Sequence, residues 1–434
     1  MNTWLRRFSI YRSTRDVPKE YRSIFNHLYG DVIWWGVLSG TTIAFLVIYA
    51  TRIGATAEQI GLINAAPAIV NLLLALPAGI WLGKMAIDRA VFWSGMVQRV
   101  FYLVFAFLPV LIFPQRQIWV IIVASLLMSI PGTGIAIGFN ALFAEVVPPE
   151  WRGHVVGIRN ALLSITTVIS ALLSGQILTW MVFPLGYQVV FILGFIGAIL
   201  SCLNLGMIHP LKKSALEQAG NVPGVTGTRP ATVKRGESRF FPGMIRSFKD
   251  LRLDILKGKF GTVILLLFFF HFAQYIAIPV FPIYTVNVLH FSDVVLSLGS
   301  GIFSTAVFLG SMQFERVSKR LGNKRTIGLG IVMMSTYPLF IGLSHGEILY
   351  FVASVTGGIA WAMAGGALFN YLLEYIPNTD LAPHLSWYSL AFNAAVLLGS
   401  FIGPAIATLT SPSTSLFIFA VLRGLAGLAI LRWG

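Results

Sequence analysis

The stretch AEVVPPEWRGHVVGIRN (residues 144–160) sets two prolines, two glutamates, two arginines and a histidine between two long apolar runs. Polarity at that density requires water, while the runs on either side require its absence. Pro148-Pro149 stop one helix, Glu150-Trp151-Arg152-Gly153 turn the chain at headgroup level, and Arg159 and Asn160 carry polarity back into an apolar segment. The pattern predicts two membrane-crossing helices joined by a short wet loop.

The remainder of the chain extends that reading. Of its 434 residues 56% are hydrophobic and only 11% charged, with a mean hydropathy of +0.79. Soluble domains carry about 25% charged residues, so this chain lacks the polar surface that water demands and its solvent is lipid. Apolar runs of about 20 residues, enough to cross a ~30 Å hydrocarbon core as helices, recur throughout. The short alternating segments of a β-barrel are absent from the sequence. The expected fold is an all-α polytopic membrane protein with twelve transmembrane helices in two pseudo-symmetric six-helix bundles. Spans are predicted near 29–50, 59–82, 90–112, 117–143, 154–180 and 184–208, then near 260–286, 293–314, 325–344, 347–374, 383–409 and 413–432. This divides the chain into a basic cytosolic arm (1–28), an N-terminal bundle (29–208), a cytosolic linker (209–259) and a C-terminal bundle (260–434). Within the linker, Phe241, Met244, Ile245, Phe248, Ile255 and Leu256 recur at helical spacing opposite Arg246, Lys249, Arg252 and Lys257, which predicts an amphipathic helix on the inner leaflet.

Charge placement tests this map. With both termini inside, the cytosolic segments hold 25 of the 31 Lys and Arg residues, and the opposite loops hold only Arg52 and Arg116. Positive residues resist translocation, so the split orients the chain with both termini cytosolic in a plasma (cytoplasmic) membrane. It also accounts for the net charge of +15 without nucleic acid. The single cysteine, Cys202, lies in an apolar run, so intramolecular disulfides are excluded.

Two sets of six spans imply a repeat. NALFAEVVP (140–148) aligns with NYLLEYIP (370–377) through a shared E-x-x-P, Glu145 on Glu374 and Pro148 on Pro377, each closing the fourth span of its half. GKMAIDR (83–89) likewise faces KRLGNKR (319–325), each following a second span. Twelve spans in two halves, a basic central loop, basic 2–3 and 8–9 loops, and PPEWRGHVVGIRN opening span five together resemble the major facilitator superfamily. The 2–3 loop departs from the superfamily pattern: Gly83 stands where the acid belongs, Asp88-Arg89 arrive late, and the second copy puts Lys319 at the acid's position. Gly399-Ser-Phe-Ile-Gly-Pro404 resembles the antiporter signature but falls in span eleven instead of span five, which disfavours drug–proton exchange.

The resemblance implies a secondary active transporter moving a small solute by alternating access. It also implies that spans one, four, seven and ten line the cavity. The substrate-binding candidates there are Trp35, Ser39 and Thr42 at i, i+4 and i+7 of span one, Thr133 in the Pro131–Gly134 break expected in span four, His271, Gln274 and Tyr275 in span seven, and Trp361 in span ten. Charge inside a membrane is costly and marks function by default. Arg99 is therefore a further binding candidate. Arg423 lies similarly deep, and either arginine could instead pair with a carboxylate or carbonyl between helices. Asp31 and His271 are candidates for proton coupling, with Arg159 the alternative partner of Asp31. Gating and charge-anchor roles fall to Asp88, Arg89, Glu145, Arg152, Arg159, Arg320, Lys324, Arg325 and Glu374. The arginines lean the expected solute slightly to anionic or amphiphilic. No phosphate-binding loop, nucleophile–base set or metal-ligand spacing occurs in the sequence, so no catalysis, metal or cofactor is expected. The expected partners are the solute and membrane lipids, the expected state a monomer. The competing readings are a lipid scramblase or a non-transporting receptor on the same fold.

Overall fold

The computed structural model describes residues 19–82, 86–111, 113–209, 253–377 and 380–434. Among these, twelve helical spans are long and apolar enough to cross a membrane. Span one comprises Lys19–Leu38, a π-helical segment Ser39–Ile43 and Ala44–Arg52. Spans two to six are Ala57–Leu82, Ile87–Leu111, Pro114–Val146, Pro149–Trp180 and Leu185–Gly206. Span seven is divided into Lys259–Tyr275, Val280–Ile283 and a π-helical Tyr284–Val288. Span eight is Asp293–Leu321, and span nine is divided into Asn323–Met334 and Thr336–Leu343. Spans ten to twelve are Glu347–Leu373, Leu381–Leu409 and Pro412–Trp433.

The span count and the six-plus-six order match the expectation, and two details differ. The first helix starts at Lys19, within the segment assigned to the arm. Most of the proposed amphipathic helix lies outside the described residues. The expected break in span four is absent: Pro131 sits inside a continuous helix. Proline removes the one ladder bond to the Leu127 carbonyl, and the helix runs on through it; the neighbouring hydroxyls bond back along the same turn, Ser129 Oγ donating to Ser125 O at 2.6 Å and Thr133 Oγ1 to Ser129 O at 3.0 Å.

Local chemistry sets the helix ends. Thr56 and Gln59 form a reciprocal capping box ahead of span two, Gln59 N–H to Thr56 Oγ1 at 3.3 Å and Thr56 N–H to Gln59 Oε1 at 2.9 Å. Ser292 and Ser411 cap spans eight and twelve. Proline occupies the first turn of spans four, five and twelve, where a missing N–H costs nothing.

The even number of crossings brings the start of span one and the end of span twelve to the same face as the 2–3, 4–5 and 8–9 loops, here called the basic face. The two halves meet through spans two and eleven and through spans five and eight. The tips of spans one and seven also interlock, Ile48 packing into the C-half core and Ile283 into that of the N half. These contacts lie between mid-depth and the far face. Toward the basic face Val156 on span five and Phe369 on span ten are exposed. The halves are joined at the far face and, among the described residues, part toward the basic one.

Span eleven crosses the break in span seven at very short range. A Cβ at Gly403 would overlap the Ile276 carbonyl, and one at Gly399 would approach Ile276 N within 2.9 Å. The Gly399–Pro404 motif is thus a backbone-on-backbone contact. Gly403→Val is expected to cost at least ~1–3 kcal/mol, the usual penalty of overpacking. A monodisperse chromatographic peak of native height for that variant in detergent would contradict the contact.

Candidate functional site

Two buried polar systems occupy the bundle. The first joins spans one, three, five and six in the N half. Arg159 Nη2 donates to Asp31 Oδ2 at 3.1 Å, the pairing weighed from the sequence. Ser201 Oγ donates to Asp31 Oδ1 at 2.7 Å, and Arg99 Nη2 reaches the same Ser201 Oγ at 3.3 Å. Arg99 also donates to Gln98 Oε1 at 3.1 Å and stacks over Trp35, 5.2 Å from the ring centroid. Arg159 stacks over Phe139 at 4.4 Å. One carboxylate is shared between two guanidinium groups, so the cluster carries net positive charge.

The second system is neutral and crosses between the halves. Thr133 Oγ1 donates to Asn71 Oδ1 at 2.6 Å, Asn71 Nδ2 to Asn393 Oδ1 at 3.3 Å, and Asn393 Nδ2 to Ser389 O at 2.8 Å. One helical turn of span eleven away, His271 Nε2 lies 3.1 Å from Tyr388 Oη. The His271 and Tyr275 rings both meet Phe392 edge-on, at 4.7 and 5.8 Å. Amides, hydroxyls and aromatic faces therefore converge where spans two, four, seven and eleven meet, at the inner limit of the far-face closure.

The candidate residues divide accordingly. Thr133, His271 and Tyr275 belong to this convergence, and Gln274 follows His271 on span seven with its Oε1 buried and unpartnered. Trp35 and Arg99 belong to the charged cluster. Arg99 is 2% exposed, and so is Arg423. Neither guanidinium opens onto the cavity. Trp361 is exposed along Gly365 on span ten. Thr42 is fully buried against span six, where a Cβ on Gly194 would overlap its hydroxyl. The i, i+4, i+7 face assumed a regular α-helix, and the wider turn of Ser39–Ile43 rotates Thr42 away from Trp35 and the half-buried Ser39.

At the basic face the anchor residues act mainly within their own halves. Asp88 Oδ2 lies 3.1 Å from His209 Nδ1, and Asp88 Oδ1 accepts from Arg89 N–H at 2.8 Å. Arg152 donates to the Val147 and Ala144 carbonyls at 3.1 and 2.7 Å, closing the end of span four. Glu374 accepts from Asn323 Nδ2 at 2.7 Å, tying the end of span ten to the 8–9 turn that carries Arg320, Lys324 and Arg325. Glu145 is exposed at the end of span four.

The far face holds a lock that sequence reasoning missed. Arg52 Nη2 lies 2.8 Å from Asp293 Oδ1 and donates to Phe291 O at 2.8 Å, and Tyr187 Oη donates to the same carboxylate at 2.8 Å. Thr408 Oγ1 adds a bond to Glu58 Oε1 at 2.7 Å. Asp293 was legible only as an acid opening a span on the sparsely charged side. Asn71 and Asn393 carried no signal beyond being amides at mid-depth. Among the described residues, no group of three or more His, Cys, Asp or Glu gathers in a way that could hold a metal.

Twelve spans in two halves, a cavity open on one face and polar groups shared across the divide define a transporter architecture. A family model described as the Major Facilitator Superfamily matches residues 35–258 and 263–434, and the chain belongs to that family. Solved structures agree in fold. The nucleoside transporter NupG superposes with a TM-score of 0.59 at 14% identity over 96% of this chain and 99% of its own. The inward-open xylose transporter XylE from E. coli gives 0.65 at 16% identity over 95% of each chain. A POT family transporter in complex with 5-aminolevulinic acid gives 0.66 at 12% identity, covering 95% and 96%. No curated protein matches the chain in sequence.

Proposed function

We propose that this protein carries a small, neutral, polar solute across the membrane by alternating access, with its basic face in the cytosol. The observation that carries this reading is the neutral hydrogen-bond chain Thr133–Asn71–Asn393, which spans the divide between the halves at the inner limit of the far-face closure. Amide and hydroxyl groups from opposite halves match a polyhydroxylated solute, and aromatic rings beside them suit a sugar face or a base. The leaning toward an anion loses its support, because Arg99 and Arg423 are turned into helix contacts. Similarity to nucleoside and xylose transporters agrees with a neutral cargo. The 25-to-2 distribution of Lys and Arg supports the orientation with both termini cytosolic, and a plasma-membrane location goes with that reading.

Proteoliposome uptake of radiolabelled D-xylose and uridine, with and without an inward proton gradient, tests the reading. Uptake of one of them is expected, and Thr133→Val and Asn71→Leu should each raise its half-saturation concentration roughly tenfold, the effect of about 1.4 kcal/mol of lost hydrogen bonding. Movement of a fluorescent phospholipid with no solute uptake would instead mark a scramblase. Of the two proton-coupling candidates, Asp31 is favoured, since its protonation would release Arg159. Uptake by an Asp31→Asn variant should no longer respond to the proton gradient, and a full gradient response there would remove Asp31 from the coupling step.

A further inference from the structure

Among the described residues, Arg423 on span twelve is a buried cation that meets no carboxylate. Its guanidinium donates to main-chain carbonyls: Nη1 to Met334 O at 3.3 Å, and Nη2 to Gln274 O at 3.2 Å and Ala273 O at 3.4 Å. Each of those carbonyls lies where a helix is interrupted. Pro338 occupies the position whose N–H would close the ladder onto Met334 O, and span nine divides at Ser335. In span seven Pro279 and Pro282 follow in sequence. The ladder of the first segment ends with Ile276 N–H to Phe272 O at 3.0 Å and resumes with Val280 N–H to Ala277 O at 3.1 Å. Exposed to lipid or apolar side chains, carbonyls freed in this way are costly, and broken helices persist only where a partner re-satisfies them.

We propose that Arg423 is the shared cap of the proline breaks in spans seven and nine, and that it is a positioning residue for the site. One planar fork reaches both helices and fixes their bends relative to each other. The segment of span seven that it holds carries His271 and Gln274. The segment beyond the break, Val280–Val288, meets the outer part of span one within the far-face closure. Arg423 therefore sets the junction between the part of span seven that lines the site and the part that seals it.

The pseudo-symmetric half supports the assignment. Spans one, three and six are the repeat mates of seven, nine and twelve, and they too enclose a buried arginine, Arg99. There span one supplies a side-chain acceptor, Asp31, reached through Ser201. In the C half the backbone of span seven supplies the acceptors instead, at carbonyls that the interruption after Ile276 leaves outside the ladder.

Amide hydrogen exchange on the full-length protein in detergent, read by mass spectrometry, tests this with R423M, P338A and the double variant. In R423M, exchange over 271–281 and 333–340 is expected to rise roughly ten- to hundredfold, the effect of losing charge-assisted hydrogen bonds, while spans one to six keep native rates. P338A returns an N–H to face Met334 O. In the double variant, exchange at the span-nine break should therefore fall back toward native while the span-seven break stays fast. A general loss of stability would move both breaks and the N half together. Native exchange at both breaks in R423M, or no recovery at span nine in the double variant, overturns the proposal. Should R423M fail to accumulate, recovery of monodisperse protein by P338A supports the shared cap, and failure of both variants overturns it.

Discussion

Replacing Asp31 with alanine is expected to destabilise the folded protein by about 3–5 kcal/mol, the usual effect of removing one member of a buried ion pair. Asp31 and Arg159 are almost fully enclosed, their side chains 7% and 14% exposed. Their charges are therefore little screened, and removal of the carboxylate leaves Arg159 without its ion-pair partner. Ser201 loses its acceptor as well, and through it the link to Arg99. Asp31→Asn keeps one of the two acceptor oxygens while removing the charge, so its loss should be smaller. Arg159→Met removes the cation along with the need for its partner, and combined with Asp31→Ala it should recover part of the loss. Thermal midpoints of the purified proteins in detergent make the comparison. An Asp31→Ala variant within about 1 kcal/mol of the native protein would show that the pair does not hold the bundle.

The second large effect concerns conformation. Asp293→Ala removes the acceptor shared by Arg52 and Tyr187 and leaves the far-face lock with the Arg52 bond to Phe291 O and the Thr408 bond to Glu58. Charge-assisted bonds of this kind contribute about 1.5–3 kcal/mol each. The balance between far-face-closed and far-face-open forms should therefore shift by roughly a hundredfold or more. Ser297 provides a reporter, because it is 2% exposed where span eight meets Gly175 of span five. A Ser297→Cys reporter should react slowly with a membrane-impermeant maleimide added at the far face, and much faster once Asp293→Ala is introduced. Exchanging the charges, Arg52→Asp with Asp293→Arg, should restore slow labelling. Unchanged labelling in Asp293→Ala would mean that packing alone closes this face.

Much of this architecture is legible in the sequence because lipid imposes few and strong rules. Apolar length counted the spans, the side preference of Lys and Arg ordered them, and the paired E-x-x-P ends revealed the two halves. The Asp31–Arg159 pair was legible for a similar reason: opposite charges at equal depth on neighbouring helices have few alternatives. What stayed hidden depends on rotation about helix axes, which hydropathy does not encode. Thr42 missed the cavity because one π-turn changes the register after Ser39. Arg99 and Arg423 looked like ligand groups by depth alone, and only the packing of spans three and twelve turns them inward. The partnership of Asn71 with Asn393 joins residues from separate halves, and no local pattern in the chain connects them. Pro131 misled in the opposite direction, since a proline signals a lost N–H but not whether the helix will run on through it.

The far-face closure also has an electrical consequence. From Glu58 to Asn71 span two rises about 20 Å at ~1.5 Å per residue, and cross-half bonds mark both ends of that length. A membrane potential falls across whatever excludes water and ions. In this conformation most of the voltage drop is therefore expected across this sealed layer, with the open cavity close to the potential of the basic side. A neutral solute held at Asn71 would exchange with that side without electrical work. A proton travelling with it would meet nearly the whole field in the sealed layer, at about 2.3 kcal/mol per 100 mV, so voltage would act on the coupling ion and leave the cargo untouched.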